Sequence, residues 1–179
     1  LADPYWPKKA MEGHPEDIVP CLRCSNCYHI SSDHWNVGCS VNPRYHHQEF
    51  VPSEINLPKA ETKKHVVILG GGPAGMKAAI TASDRGHKVT IIEKQKELGG
   101  MLRFISKEAH KEEVQRLLDY YLTQIFKREI EVLLNTEADP ELVKELQPDS
   151  LLIAFGAVER ILPIPGVEGE KVQLATKAI

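Results

Sequence analysis

The sequence predicts an α/β fold: a short parallel sheet with flanking helices, preceded by an irregular, cysteine-rich segment. Three observations carry this expectation. From His65 onward, short runs rich in β-branched residues alternate with helical stretches. A glycine-rich turn, Gly70-Gly-Gly72-Pro-Ala-Gly75, joins the first of these runs to the first helix. All four cysteines fall between positions 21 and 39, ahead of the first strand, in a stretch with no regular apolar period.

Each element can be justified in order. Residues 1–20 hold Pro4, Pro7, Pro15 and Pro20, a density that argues against a long helix and leaves room for a short one over Trp6 to Gly13. Residues 43–64 carry Pro43, Pro52 and Pro58 with few apolar residues in any period, and read as extended, surface-crossing chain. His65 to Leu69 is a continuous apolar run of the kind that forms a buried parallel strand. Met76 to Arg85 reads as a helix stopped at Gly86, and His87 to Ile92 as a second strand ending at Glu93, which together complete a βαβ unit. A second glycine-bearing loop, Leu98 to Arg103, comes next. Val114, Leu117, Leu118, Tyr121, Leu122, Ile125 and Phe126 repeat at helical spacing within Lys111 to Arg128. Ile130 to Leu134 is a third strand. Asp139-Pro140 is a helix start, with a capping side chain followed by proline at the first helical position, and that helix runs to Leu146. Ser150 to Phe155 is the fourth strand, and a proline-bearing loop and tail follow from Ala157.

The glycine spacing has the context that gives it chemical meaning: a strand before, a helix after, and Glu93 eighteen positions past Gly75. Gly70 permits the tight turn, Gly72 lets a pyrophosphate approach the backbone, and Gly75 lets the helix sit close to the strand. The helix N-terminus then offers free N–H groups and the positive end of its dipole to the phosphates. Glu93 is placed to accept hydrogen bonds from adenosine ribose hydroxyls, and its charge repels a 2′-phosphate, so NADP is disfavoured at this site. The sheet is therefore expected to be a Rossmann-like FAD/NAD(P)-binding unit, partial within this chain. Spacing alone does not decide among FAD, ADP and NAD. The second glycine loop and Gly156 lean toward a flavin-type site.

The cysteines follow the pattern C-x2-C-x2-C-x11-C, as Cys21, Cys24, Cys27 and Cys39. Zinc sites usually split their ligands into two separated pairs. Three thiolates within seven residues plus a fourth from a short excursion suit a [4Fe–4S] cluster better, with zinc and disulfides as the lesser alternatives. His29, His34, His46 and His47 lie in polar loop sequence and are not needed as ligands. Tyr120 and Tyr121 belong with the apolar stripe of the long helix. Arg103 is a secondary candidate for approaching a flavin or phosphate.

Composition narrows the rest. The chain of 179 residues is 42% hydrophobic and 26% charged, with a net charge of −3, which suggests no nucleic-acid or polybasic membrane partner. No apolar run approaches a membrane span, and no signal peptide is visible. Clustered reduced cysteines fit a cytoplasmic setting. The chain starts without Met and is expected to be a piece of a longer product.

Taken together, these motifs resemble the iron–sulfur flavoenzymes that include 2,4-dienoyl-CoA reductase, trimethylamine dehydrogenase and histamine dehydrogenase. The resemblance runs through Leu1 to Pro4, the four cysteines with Val41-Asn-Pro43, Lys64 to Gly100, Lys111 to Tyr121, Asn135-Thr136, and Gly156 with Ile164-Pro-Gly166. It implies four sections: residues 1–20 as the end of a TIM barrel and a connector, 21–43 as the [4Fe–4S] segment, 44–64 as a linker, and 65–179 as part of an FAD- or ADP-binding domain. It implies Gly70, Gly72, Ala74, Gly75, Glu93, Met101, Lys111 and Ala138 as nucleotide-binding residues, and no catalytic residue within the chain. It implies an NADH:flavin oxidoreductase of old-yellow-enzyme type. FMN would lie in the barrel and NAD(P)H in a further domain, both outside this chain. The barrel would bind a small-molecule substrate, and this piece alone would be inactive. Two positions depart from the family pattern: Phe155 stands where Thr is common, and Met101 where reductases often have Gln. Two other readings stand beside this one. A subunit like the small subunit of glutamate synthase would usually carry cysteines for two clusters, and a zinc-bearing nucleotide-binding module would have no catalysis.

Overall fold

The computed structural model describes residues 1–28 and 38–178. His29 and His34 lie outside the described residues. Four parallel strands form one sheet in the order β3-β2-β1-β4, with β1 at His65–Leu69, β2 at Lys88–Ile92, β3 at Ile130–Leu133 and β4 at Ser150–Ile153. Between them run α2 (Pro73–Asp84), α3 (Leu102–Ile105), α4 (Glu112–Phe126) and α5 (Pro140–Leu146), with α1 (Trp6–Met11) and a 3₁₀ turn (Pro15–Asp17) ahead and α6 (Ala175–Ala178) at the end.

Strand periodicity sorts the core into two faces. Ile68, Val89 and Ile91 point to the side covered by α2 and α4, where they meet Met76, Ala79, Leu117, Leu118 and Tyr121. Val67, Leu69 and Ile92 point to the other side, against Leu142, Val143 and Leu146 of α5. The single polar side chain deep in β2, Thr90, is fully buried and is satisfied by Glu131 at 2.8 Å and His65 Nε2 at 2.9 Å.

Most elements fall where the sequence puts them, and the differences have local causes. The helix after the glycine turn begins at Pro73 rather than Met76, because proline is suited to the first helical turn. The fourth strand ends at Ile153 rather than Phe155: its partner β1 gives way to Gly70, whose φ of +106° turns the chain out of the sheet. Phe126, expected on the buried stripe, is 90% exposed in the last turn of α4: at about 100° per residue it lies about 140° around the helix from Tyr121, away from the buried face that Ile125 still joins. The short helices α3 and α6, and the 3₁₀ turn, are too brief to leave a periodic pattern.

The N-terminal segment is held down by polar contacts. Buried Asp3 accepts from the amides of Tyr5 and Val19 and from Lys9 Nζ. Lys127, just past α4, pairs with Glu16 at 2.8 Å and Asp17 at 2.7 Å, and Gln124 donates to Asp17. The chain then returns across α2: Lys59 Nζ donates to Asp84 O, and Arg85 donates to Pro58 O. Arg128 grips Asp84 through two nitrogens at 2.8 and 2.9 Å, which fastens the ends of α2 and α4 together. Among the described residues, no helix is long and apolar enough to cross a membrane.

Candidate nucleotide cleft and cysteine centre

The carboxyl ends of the parallel strands point at one cleft of about 580 Å³, lined in part by Gly70, Glu93, Thr136, Ala138, Phe155 and Gly156. Such crevices beyond the strand ends are where open α/β sheets place ligands. Each glycine of the first loop has a distinct job. A Cβ on Gly70 would collide with the carbonyl of Ala154, and one on Gly75 with the carbonyl of Gly70. Both glycines are therefore demanded by the fold itself. A Cβ on Gly72 would meet nothing within 4 Å, and Gly72 caps the N-terminus of the twelve-residue α2. The open space at Gly72, beside the first-turn N–H groups of Gly72, Ala74 and Gly75, is what an approaching phosphate requires.

Glu93 sits beneath this loop. It is buried, with Oε2 accepting the Gly71 N–H at 2.7 Å and Oε1 accepting the Gln95 N–H at 2.8 Å. The second glycine loop packs on the first: the Gly99 N–H donates to Gly71 O at 2.8 Å, and a Cβ on Gly100 would lie 3.1 Å from the Gly72 α-carbon. Arg103 closes that second loop, donating to Leu98 O and pairing with Glu97 at 3.0 Å.

The eight sequence-expected nucleotide residues thus occupy different positions. Gly70, Glu93 and Ala138 line the cleft. Gly72, Ala74 and Gly75 form the adjoining start of α2. Met101, 47% exposed, follows Gly100 at the start of α3. Lys111 is at the start of α4 and lines an opening with Leu22, Arg23 and Cys24, on the cysteine side of the molecule.

The cysteine segment lies against the first turn of α4. Arg23 forms an ion pair with buried Glu113, whose carboxyl it holds below the usual range. Leu22 and Val41 pack on the main core cluster. All four cysteines are free thiols, two exposed and two half-buried. Asn26 Nδ2 donates to Gly38 O at 3.2 Å, joining the arm that carries three cysteines to the arm that carries the fourth. Ser40 Oγ lies 3.2 Å from Cys24 Sγ. The Ser40 hydroxyl, helped by the Asn26 amide, holds the Cys24 thiol below the ordinary cysteine range.

The donor set, four free thiols on two joined arms, fits a four-cysteine iron–sulfur cluster. Among the described residues, the one trio of His, Cys, Asp or Glu with ligand atoms all within 4.8 Å is His14, Glu16 and Asp17. That trio is already committed, since Lys127 pairs with both carboxylates. His46 packs edge-on against Tyr45. Burial pushes the phenols of Tyr120 and Tyr121 up, in keeping with their place in the core. Sequence reasoning missed Asn26, Ser40 and the Arg23–Glu113 pair. Each is a contact between distant residues, with no local pattern to announce it.

Residues 64–178, the span from the start of β1 through α6, match the pyridine nucleotide-disulphide oxidoreductase family. The chain belongs to that family. An NADH oxidase of Thermoanaerobacter brockii is 40% identical over 174 residues, covering 95% of this chain and 26% of the relative. A 2-naphthoyl-CoA reductase structure superimposes with a TM-score of 0.86 at 38% identity, covering 94% of this chain and 26% of that one. The histamine dehydrogenase of Rhizobium sp. 4-9 superimposes with a TM-score of 0.78 at 29% identity, over 89% of this chain and 24% of that one. The chain therefore spans about a quarter of the length of the relatives it matches. For the first two of these relatives, the matched region extends well beyond the family domain and takes in the cysteine segment, in line with the resemblance read from the sequence.

Proposed function

We propose that this chain is the electron-relay and adenine-nucleotide-binding section of a multi-domain NAD(P)H-dependent flavin oxidoreductase. The observation that carries the reading is the pairing of two built features on one small fold. One is a glycine cradle open at Gly72 over the buried Glu93; the other is a braced set of four free cysteines docked on α4.

Cys21, Cys24, Cys27 and Cys39 would hold a [4Fe–4S] cluster, and the Gly70–Gly75 loop with Glu93 and Ala138 would hold the adenine half of FAD or ADP. Bound there, the cluster supplies one-electron exchange, and a flavin supplies the change between one- and two-electron chemistry. The protein's own share is positional. The N-terminus of α2 faces the phosphates, and Glu93 fixes the loop while keeping lone pairs free for the ribose. Arg23 and Glu113 hold the cysteine arm against the sheet domain. FMN, the nicotinamide cofactor and the small-molecule substrate belong to barrel and nicotinamide domains elsewhere in the protein, which works in the reducing cytoplasm.

The test is iron, acid-labile sulfide, zinc and flavin analysis of anaerobically purified protein. Iron and sulfide in equal amounts, about four per chain, are expected, and bound flavin chooses FAD over ADP. Zinc without sulfide overturns the relay.

A further inference from the structure

Ser40 immediately follows the fourth cysteine, yet its hydroxyl reaches back to a different one. Its Oγ lies 3.2 Å from Cys24 Sγ, sixteen positions earlier in the chain. The approach is prepared by the backbone, because Asn26 holds the Gly38 carbonyl at 3.2 Å and so brings the returning arm alongside the Cys24 loop. Cys21 Sγ accepts a backbone amide, from Arg23 at 3.4 Å. Cys24 differs in receiving a side-chain hydroxyl, which a substitution can remove without altering the main chain.

We infer that Ser40 is a positioning residue of the cysteine centre that sets its reduction potential by donating a hydrogen bond to the Cys24 sulfur. The inference rests on the cluster reading above. A sulfur bound to iron carries no proton, so the hydroxyl is necessarily the donor. Each electron accepted adds one negative charge to the cluster, and part of that charge falls on the four cysteine sulfurs. A donor aimed at one of them stabilises the reduced form more than the oxidised form, and hydrogen bonds to the sulfurs are among the established levers on such potentials. The contact also braces the two cysteine arms against each other. A purely mechanical role and an electronic role therefore predict different outcomes.

The experiment compares wild type, Ser40→Ala and Ser40→Thr in the anaerobic holoprotein. The midpoint potential is read by EPR-monitored titration, and the iron–thiolate stretches by resonance Raman in H₂O and D₂O. The expected result is a more negative midpoint and higher-frequency stretches in Ser40→Ala, with wild-type behaviour restored in Ser40→Thr. An unchanged midpoint and unchanged stretches in an iron-loaded Ser40→Ala protein overturn the role of Ser40 and leave the cluster reading standing. Wild-type protein holding neither iron nor sulfide overturns both. Should Ser40→Ala fail to retain its cluster, the wild-type spectra decide: stretches that do not move between H₂O and D₂O overturn the inference.

Discussion

Glu93 Oε2 accepts the Gly71 amide proton at 2.7 Å, so the tip of β2 and the glycine turn after β1 form one hydrogen-bonded unit. An acidic residue at this position is usually discussed for what it offers a ribose. Here it first organises the loop that meets the phosphates. Glu93→Ala leaves the Gly71 and Gln95 N–H groups without their partner, and buried hydrogen bonds to a charged group are worth about 1.5–3 kcal/mol each. The expected outcome is a lower urea midpoint together with weaker nucleotide retention, while iron content is unchanged. Full nucleotide retention in the variant would remove Glu93 from the site.

Gly72 and Gly75, three positions apart, separate binding from folding. Gly75→Ala forces a Cβ into the Gly70 carbonyl, and overpacking of this kind costs about 1–3 kcal/mol. Gly72 has an ordinary φ of −74° and empty space around it, so Gly72→Ala should leave the melting temperature nearly unchanged. Its added methyl instead stands where a phosphate would approach. The Gly75 variant is expected to melt lower, and the Gly72 variant to melt normally while binding nucleotide poorly. Thermal melts with an ADP titration of both variants check this.

Cys24→Ala in the whole enzyme should lose the one-electron route between flavins while each flavin remains reducible by its own partner. Stopped-flow spectroscopy reads the interflavin step directly. Transfer at the wild-type rate would show that the cysteine centre is not the relay.

Acid should loosen the N-terminal segment. The Lys127 ammonium holds the Glu16 carboxyl below its ordinary range. Burial works to raise Asp17, but hydrogen bonds from Lys127 and Gln124 outweigh it and leave that carboxyl lowered too. A carboxylate with a lowered folded value contributes stability above the ordinary carboxylate range of about 4, and loses it as pH falls through the folded value. Lys127 itself is raised, so its contribution is full below the ordinary lysine range and is lost in strong alkali. The stability difference between wild type and Lys127→Met should therefore be constant near neutrality and shrink below pH 4. Urea titrations across that interval measure it.

The βαβ unit was legible because three kinds of signal agreed there. The β-branched run at His65–Leu69, the glycine spacing and the stop at Gly86 all point the same way, and the Asp139-Pro140 start reproduces α5 with its cap, Asp139 accepting from the Leu142 N–H at 2.7 Å. Phe126 misled because it sits four residues after Leu122, which is itself only partly buried, and so falls outside the stripe centred on Tyr121. The braces of the cysteine segment were not legible at all. Arg23 and Glu113 are ninety positions apart, and nothing local in either residue tells of the other.

Helix α4 touches both halves of the candidate site. Glu113 in its first turn holds Arg23 of the cysteine arm, and Leu118 lies 2.7 Å from where a Cβ on Gly99 would sit, under the paired glycine loops. Those two residues are five positions apart, roughly 7.5 Å along the axis at 1.5 Å per residue. The helix is thus a ruler. An insertion of a single residue between them would swing one contact about 100° away from the other, breaking the alignment of the two centres with every liganding side chain still in place.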